Sequence, residues 1–334
     1  MVLLYLAATH YNSVSNSTGS DKAAKVISLP DSSRGSVSSR GSKEHSKSPK
    51  DSKKVEDLVA RAITEKWPNI QLRALISMTR DNRLIEELWA RGPVDPLDLC
   101  VLAMHSKTPE QRKAAAERWA VADANNAEPR YILLLERWKT ESDKVKLLGE
   151  ISNIQKLPKL DSYFSDRSLA FDIMLRDSGM SAVNGISPLD ANDTRSKAAN
   201  IMTLLAKYGS ELKKSDIDGQ EQLAAIGAGL AKQLESKQQL SIIEIQIAIT
   251  GEFEILKQLD DQTEYGRPGF TVAERKVELE QKSTENMQMQ DAVIQSFKSD
   301  PNLLQLFNQR VHVLGEYQAY QQIYHLLKTG ARSQ

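Results

Sequence analysis

Asp95, Asp98 and His105 are the grouping from which an active site could most readily start, because carboxyls and an imidazole can divide acid–base work. The acids also serve a structural end. Asp95-Pro96-Leu97-Asp98 supplies an N-cap, a first-turn proline and an acid at the third position, all suited to a helix start. His312 and Glu316 stand one helical turn apart and fit an acid–base pair, although on so polar a helix a solvated i,i+4 contact is the better reading. Cys100 is the single cysteine, which rules out an intrachain disulfide, and its neighbours Leu99, Val101 and Leu102 mark a buried, inert thiol.

The remaining chemistry-bearing residues are scattered. His10, His45, His105, His312 and His325 form no His-x-x-x-His pattern and have no cysteine partners, so no metal ligands are expected. Glu86-Glu87 and Asp260-Asp261 are adjacent in sequence and point apart on a helix, as surface charge does. Gly227-Ala228-Gly229 has no preceding strand and no following lysine, so it reads as a point of close helix approach rather than a phosphate loop. With no nucleophile elbow and no Walker loop, neither a catalytic residue nor a cofactor is assigned.

Aromatic residues supply the candidates for partner contact. Tyr317, Tyr320 and Tyr324 form a stripe near the C-terminus, which suits either a recognition face or packing against the preceding helix. Trp67, Trp89, Trp119 and Trp138 fall between residues 67 and 138 and fit a first helical layer, with Trp138 the one added to the contact set.

The elements that hold these residues are helical. Apolar residues make up 40% of the 334, charged residues 26% and aromatics only 6%, a balance that favours helices over a β-sandwich. Forty-four basic residues match 44 acidic ones, so no global charge draws nucleic acid or an anionic membrane, and any partner is expected to be another protein. Between Asp21 and Lys54, nine Lys/Arg stand against four Asp/Glu, leaving the remainder acidic.

Residues 1–54 are expected to form an apolar start followed by a disordered tether. Met1–Ala8 is apolar but far too short to span a bilayer and lacks a basic start; it reads as the remnant of an export or envelope-anchor segment. From Ser13 to Ser52 about a third of the residues are serine, too polar to offset the entropy of ordering. Order is expected from Val55, with breaks at Pro68 and Gly92-Pro93. Thr108-Pro109-Glu110-Gln111 opens a helix carrying Ala115, Trp119 and Ala122, and a second presents Tyr131, Leu134, Leu135 and Trp138, so residues 108–140 predict a helical hairpin. Further helices are expected over 145–154, 161–175, 190–208 and 220–234. At 241–250 the alternation of Ile243, Ile245, Ile247 and Ile249 suits a strand, but Ile242, Ile245, Ile249, Phe253 and Leu256 extend a helical stripe, and helix is preferred. After Gly266-Arg267-Pro268-Gly269, two helices are expected, from Thr271 to about Lys298 and from Pro301 to the C-terminus.

Arg118-Trp119-Ala120-Val121-Ala122-Asp123-Ala124-Asn125-Asn126-Ala127-Glu128-Pro129-Arg130-Tyr131 resembles the junction between successive tetratricopeptide repeats, where an acidic-Pro-x-Asn-Ala turn joins two helices. Ala124 stands where that family has proline and Trp119 where a small residue is usual, and no second copy lies about 34 residues to either side. The resemblance implies stacked helix pairs and a protein-binding surface.

The sequence therefore predicts an all-α protein, an irregular helical-hairpin array or bundle, with an α-helical domain over 55–262 and a C-terminal helical hairpin over 266–334. Its expected role is a non-catalytic scaffold or interaction protein; the alternative is an enzyme assembled from scattered acidic and histidine residues.

Overall fold

The computed structural model describes residues 49–163, 166–167, 169–170, 173–174, 196–212, 216–237 and 241–330. The apolar start and nearly all of the serine-rich segment lie outside the described residues, as do most of the helix expected at 161–175 and the stretch 190–195. The described residues form an all-α protein.

Five helices build the first layer: α1 (Pro49–Thr64), α2 (Asn69–Thr79), α3 (Asn82–Ala90), α4 (Pro96–His105) and α5 (Pro109–Ala122). Helix α4 is buried all round, with Leu99, Cys100, Val101 and Leu102 at its centre, whereas α3 and α1 bury one stripe each. Their apolar faces, with Trp119 from α5, make one continuous core. The caps expected at this level are present. The Asp95 carboxylate accepts from the Leu97 N–H at 2.8 Å, and the Thr108 hydroxyl accepts from the Gln111 N–H at 3.2 Å.

The second layer contains α6 (Glu128–Trp138), α7 (Lys144–Ile154), α8 (Lys197–Glu211), α9 (Ile217–Glu235) and α10 (Ile242–Leu256) around a separate core. The ambiguous 241–250 segment is helix: Ser241 and Glu244 form a reciprocal capping box, and Ile245, Ala248 and Ile249 are buried. The Gly227–Gly229 segment does permit close approach. A Cβ at Gly227 would stand 3.0 Å from Ile255 Cδ1, and Gln155 lies against Gly229 while donating to the Ile226 carbonyl at 2.6 Å.

Beyond α10 the chain turns through β1 (Glu264–Tyr265) and β2 (Arg267–Thr271), an antiparallel pair about Gly266 at φ +70° in place of the simple break expected at Gly266–Gly269. Helix α11 (Val272–Ser299) starts from a Thr271–Glu274 capping box. It buries Val272, Leu279, Asn286 and Val293 at seven-residue spacing, a narrow seam that suits packing against single helices. The last helix is not continuous as expected. Gly315, at φ +89°, separates α12 (Pro301–Leu314) from α13 (Glu316–Thr329). The C-terminal unit is thus three helices with its own small core of Val293, Phe307, Tyr320 and Ile323. None of the described helices is long and apolar enough to cross a membrane.

Candidate functional site

The Asp95, Asp98 and His105 grouping does not assemble. Asp95 and Asp98 flank the Arg73 guanidinium at 3.4 Å each, and Asp98 also accepts from Asn69 Nδ2 at 2.7 Å. Burial raises the Asp98 carboxyl above its usual range, against the opposing pull of Asn69 and Arg73. His105 sits seven residues further along α4, about 10 Å of helical rise away, inside the core. Burial, reinforced by Arg167, Arg80 and Lys197, pushes its imidazole down to about 3, so it is neutral at physiological pH. The helix start accounts for the acids and core packing for the histidine. Gly315 ends the helix between His312 and Glu316, and Glu316 turns to α10. Cys100 is fully buried, and desolvation drives its thiol up to about 12, as an inert core cysteine requires.

At the turn that resembles a tetratricopeptide junction, the polar residues clamp a later strand of chain. Asn126 is fully buried; its Nδ2 donates to the Asp161 carbonyl at 2.8 Å and to Asp123 at 3.0 Å, while its Oδ1 accepts from the Asp161 N–H at 3.1 Å. Asp123 receives Lys159 Nζ at 2.8 Å and the Tyr163 hydroxyl. Burial opposes its charge, but these donors hold the carboxylate below its usual range, and burial beside Asp123 pushes Tyr163 up to about 12. The cluster is a satisfied tie between α5 and residues 159–163.

A buried polar network lies where four helices begin. Glu128, the first residue of α6, is fully buried; it accepts from Ser196 Oγ at 2.6 Å and from the Lys197 N–H at 2.7 Å, so its carboxyl sits on the N-terminus of α8. Glu244, 1% exposed, accepts from the Ser196 N–H at 2.9 Å and from Lys237 Nζ at 2.7 Å through one oxygen, and from the Ser241 N–H at 3.1 Å through the other. Glu316, the first residue of α13, accepts from the Ile242 N–H at 3.2 Å and so sits on the N-terminus of α10. Burial raises Glu128, against the bonds from Ser196 and Lys197. Burial likewise raises Glu316, with the Ile242 N–H opposing and the Glu244 charge adding to it. Each carboxyl is a first-turn acid, which sequence reasoning treats as ordinary capping; that three of them meet was not visible. A second buried pair, Glu252 with Arg275 in a bidentate bridge at 2.9 and 3.0 Å and the Tyr265 hydroxyl alongside, ties α10 to α11 and the β-hairpin.

The sequence-derived contact residues divide. Tyr320 is buried and packs edge-on to Phe307 at 4.8 Å. Tyr317 is half-buried, and its hydroxyl donates to Asn286 of α11 at 3.2 Å. Tyr324 is half-buried under the Lys328 ammonium, 4.6 Å from the ring centre. Trp138 lies far off in the second layer, 9% exposed and T-shaped to Tyr208 at 6.1 Å. The stripe thus packs on the preceding helix along one edge, leaving the side of α13 that it does not cover open. There Arg310, Gln318, Gln321, Gln322, His325 and Leu326 line an open hollow of about 340 Å³. Arg310 donates to Gln322, and no carboxylate lines the hollow. A second, amide-lined hollow opens along α12 at Pro301, Leu304, Gln305, Asn308 and Gln309. Among the described residues no group of three His, Cys, Asp or Glu side chains could hold a metal ion.

Compared with known proteins, the chain matches no family model, no curated protein and no solved structure.

Proposed function

We propose that this chain is a non-catalytic helical scaffold that docks a protein segment on its C-terminal unit. The observation that carries the reading is the open hollow on α13, lined by Arg310, His325, Leu326 and three glutamines without a carboxylate. Elsewhere among the described residues, Asp95, Asp98, Glu128, Glu244 and Glu252 are held in helix starts or ion pairs, and His105 in the core. On an otherwise acidic body, a donor-rich hollow suits a segment presenting carboxylates, since guanidinium and amide N–H groups bind them directionally. The half-buried Tyr317 and Tyr324 of the same helix would supply apolar area, at low entropic cost, to a segment that reaches past the hollow. The tetratricopeptide-like turn is read in the same spirit, as one joint in a stack of helix pairs, and the serine-rich segment as the tether on which the stack is displayed.

Titrating fluorescent peptides rich in Glu, neutral, or rich in Lys against the protein tests this. Binding of the Glu-rich peptide alone, weakened at least several-fold by Arg310→Ala and by salt, is expected. Equal binding of all three, or none, contradicts it.

A further inference from the structure

Helix α11 carries two seams of the same period. One, formed by Val272, Leu279, Asn286 and Val293, is buried. The other lies on the opposite side of the helix. There Val277, Glu280, Thr284, Met287 and Asp291 recur at alternating intervals of three and four residues, within about 80° of arc. All five are exposed, Val277 at 65% and Met287 at 43%. Apolar residues at that period are what a helix presents to another helix rather than to water. Between Val277 and Asp291 this outer seam carries two acids and no cation; Lys298 follows two turns further on. The ion pairs of α11 run from Arg275, Lys276 and Lys282 and involve neither Glu280 nor Asp291.

The hollow on α13 has the converse chemistry. Gln318, Gln321, Gln322, His325 and Leu326 stand at three- and four-residue spacing along one side of the helix, and Arg310 joins them from α12, bonded to Gln322. No carboxylate lines it. The rise from Gln318 to Leu326 is about 12 Å, against about 16 Å from Glu280 to Asp291, so the two faces are similar in length.

We propose that the segment docked on the α13 hollow is the outer seam of α11 from a second copy of this chain; the inference rests on the docking reading and names its partner. Glu280 and Asp291 supply carboxylates to which Arg310 and the glutamine amides donate. Met287, unbranched and able to adapt to an irregular surface, covers Leu326. Charge selects this pairing over the symmetric ones. Two hollows set face to face would bring Arg310 against Arg310, and two seams would bring acid against acid, whereas seam on hollow sets opposite charges together. No residue of α11 lines the hollow of its own copy, so the contact is made between copies. The two faces differ, so each copy both gives a seam and receives one, and the assembly closes as a pair or ring or runs on.

Sedimentation of the full chain from about 1 to about 200 µM tests the pairing. Concentration-dependent association that weakens as salt rises is expected. Arg310→Glu alone, and Glu280→Lys combined with Asp291→Lys, are each expected to weaken it at least about tenfold, because each sets like charges across the contact. An equimolar mixture of the two variants is expected to restore it, since the acidic seam of one meets the basic hollow of the other and the reversed pair also matches. A wild-type chain that stays monomeric throughout overturns the proposal without any variant being needed. Association indifferent to both swaps overturns it, as does a mixture of folded variants that associates no better than either alone. The docking reading fails separately. A monomeric chain that binds the Glu-rich peptide keeps that reading and loses only the second copy, whereas a chain that neither associates nor binds the peptide loses both.

Discussion

At the scale of single residues, burial decides what each ionisable or polar side chain does. Cys100 is predicted to be silent toward a water-soluble disulfide reagent at neutral pH and to react fully only on denaturation, since its thiolate is suppressed in the core. Stoichiometric labelling of the native protein would contradict its place in α4. Tyr131 donates to Gln233 Oε1 at 2.6 Å, while Gln233 Nε2 reaches the Leu157 carbonyl at 3.4 Å. Tyr131→Phe strands that buried amide oxygen and is expected to cost about 1–3 kcal/mol in a denaturant melt. Lys237→Met goes further, leaving Glu244 buried without its cation. It is expected to cost about 3–5 kcal/mol, and a loss no larger than that of an exposed ion pair would mean the carboxyl is neutral or solvated.

At the scale of elements, close helix approach depends on glycines at two kinds of position. A Cβ at Gly251 would collide with Met202 Cγ across the α8–α10 contact, so Gly251→Ala is predicted to destabilise by about 1–3 kcal/mol. Gly227→Ala faces only the end of Ile255 and should cost less. Gly315 is needed for its dihedral rather than its size: at φ +89°, Gly315→Ala is expected to lose about 1–3 kcal/mol and to unseat α13 before the first layer melts.

Helices were legible in the sequence where a cap and an apolar stripe coincide. Asp95, Thr108 and Thr271 all cap as read, and at 241–256 the helical stripe outweighed the alternation of isoleucines because Ile245, Ile249 and Leu256 share one core with Ala224 of α9 and Val272 and Leu279 of α11. The Gly315 break was missed because Val313, Tyr317 and Tyr320 keep the stripe going across it, and a single glycine inside such a pattern is ordinarily absorbed. The buried carboxyl network at the helix starts had no local signature. It joins residues 68, 48 and 74 positions apart, and each acid alone is an unremarked first-turn glutamate. The hollow had no signature in the sequence, because which edge of α13 stays open depends on where α11 and α12 lie.

At the scale of the whole molecule, four apolar cores succeed one another with overlapping chain segments, and the C-terminal unit meets the body through the Glu252–Arg275 bridge, the Glu316 seat and Ile242 against the last core. Glu128 and Glu316 are both raised, so their contribution to stability is predicted to shrink on going from mildly acidic to mildly alkaline pH, read as a falling Tm. The Asp123 carboxylate is lowered, and its contribution is lost in the opposite direction, as pH drops below the ordinary carboxylate range. The two trends together predict a stability maximum on the acid side of neutrality.

The claim on which the functional reading rests is that a protein partner seats on the open side of α13. Site-specific photo-cross-linking in native extract tests it most directly, with the cross-linker placed at Gln321 and, for comparison, at Val145, an exposed residue of the second layer. A discrete adduct from Gln321 that is absent from Val145 and lost on Arg310→Glu is the predicted result. Adducts from Val145 alone, or a Gln321 adduct indifferent to the charge at Arg310, would contradict it.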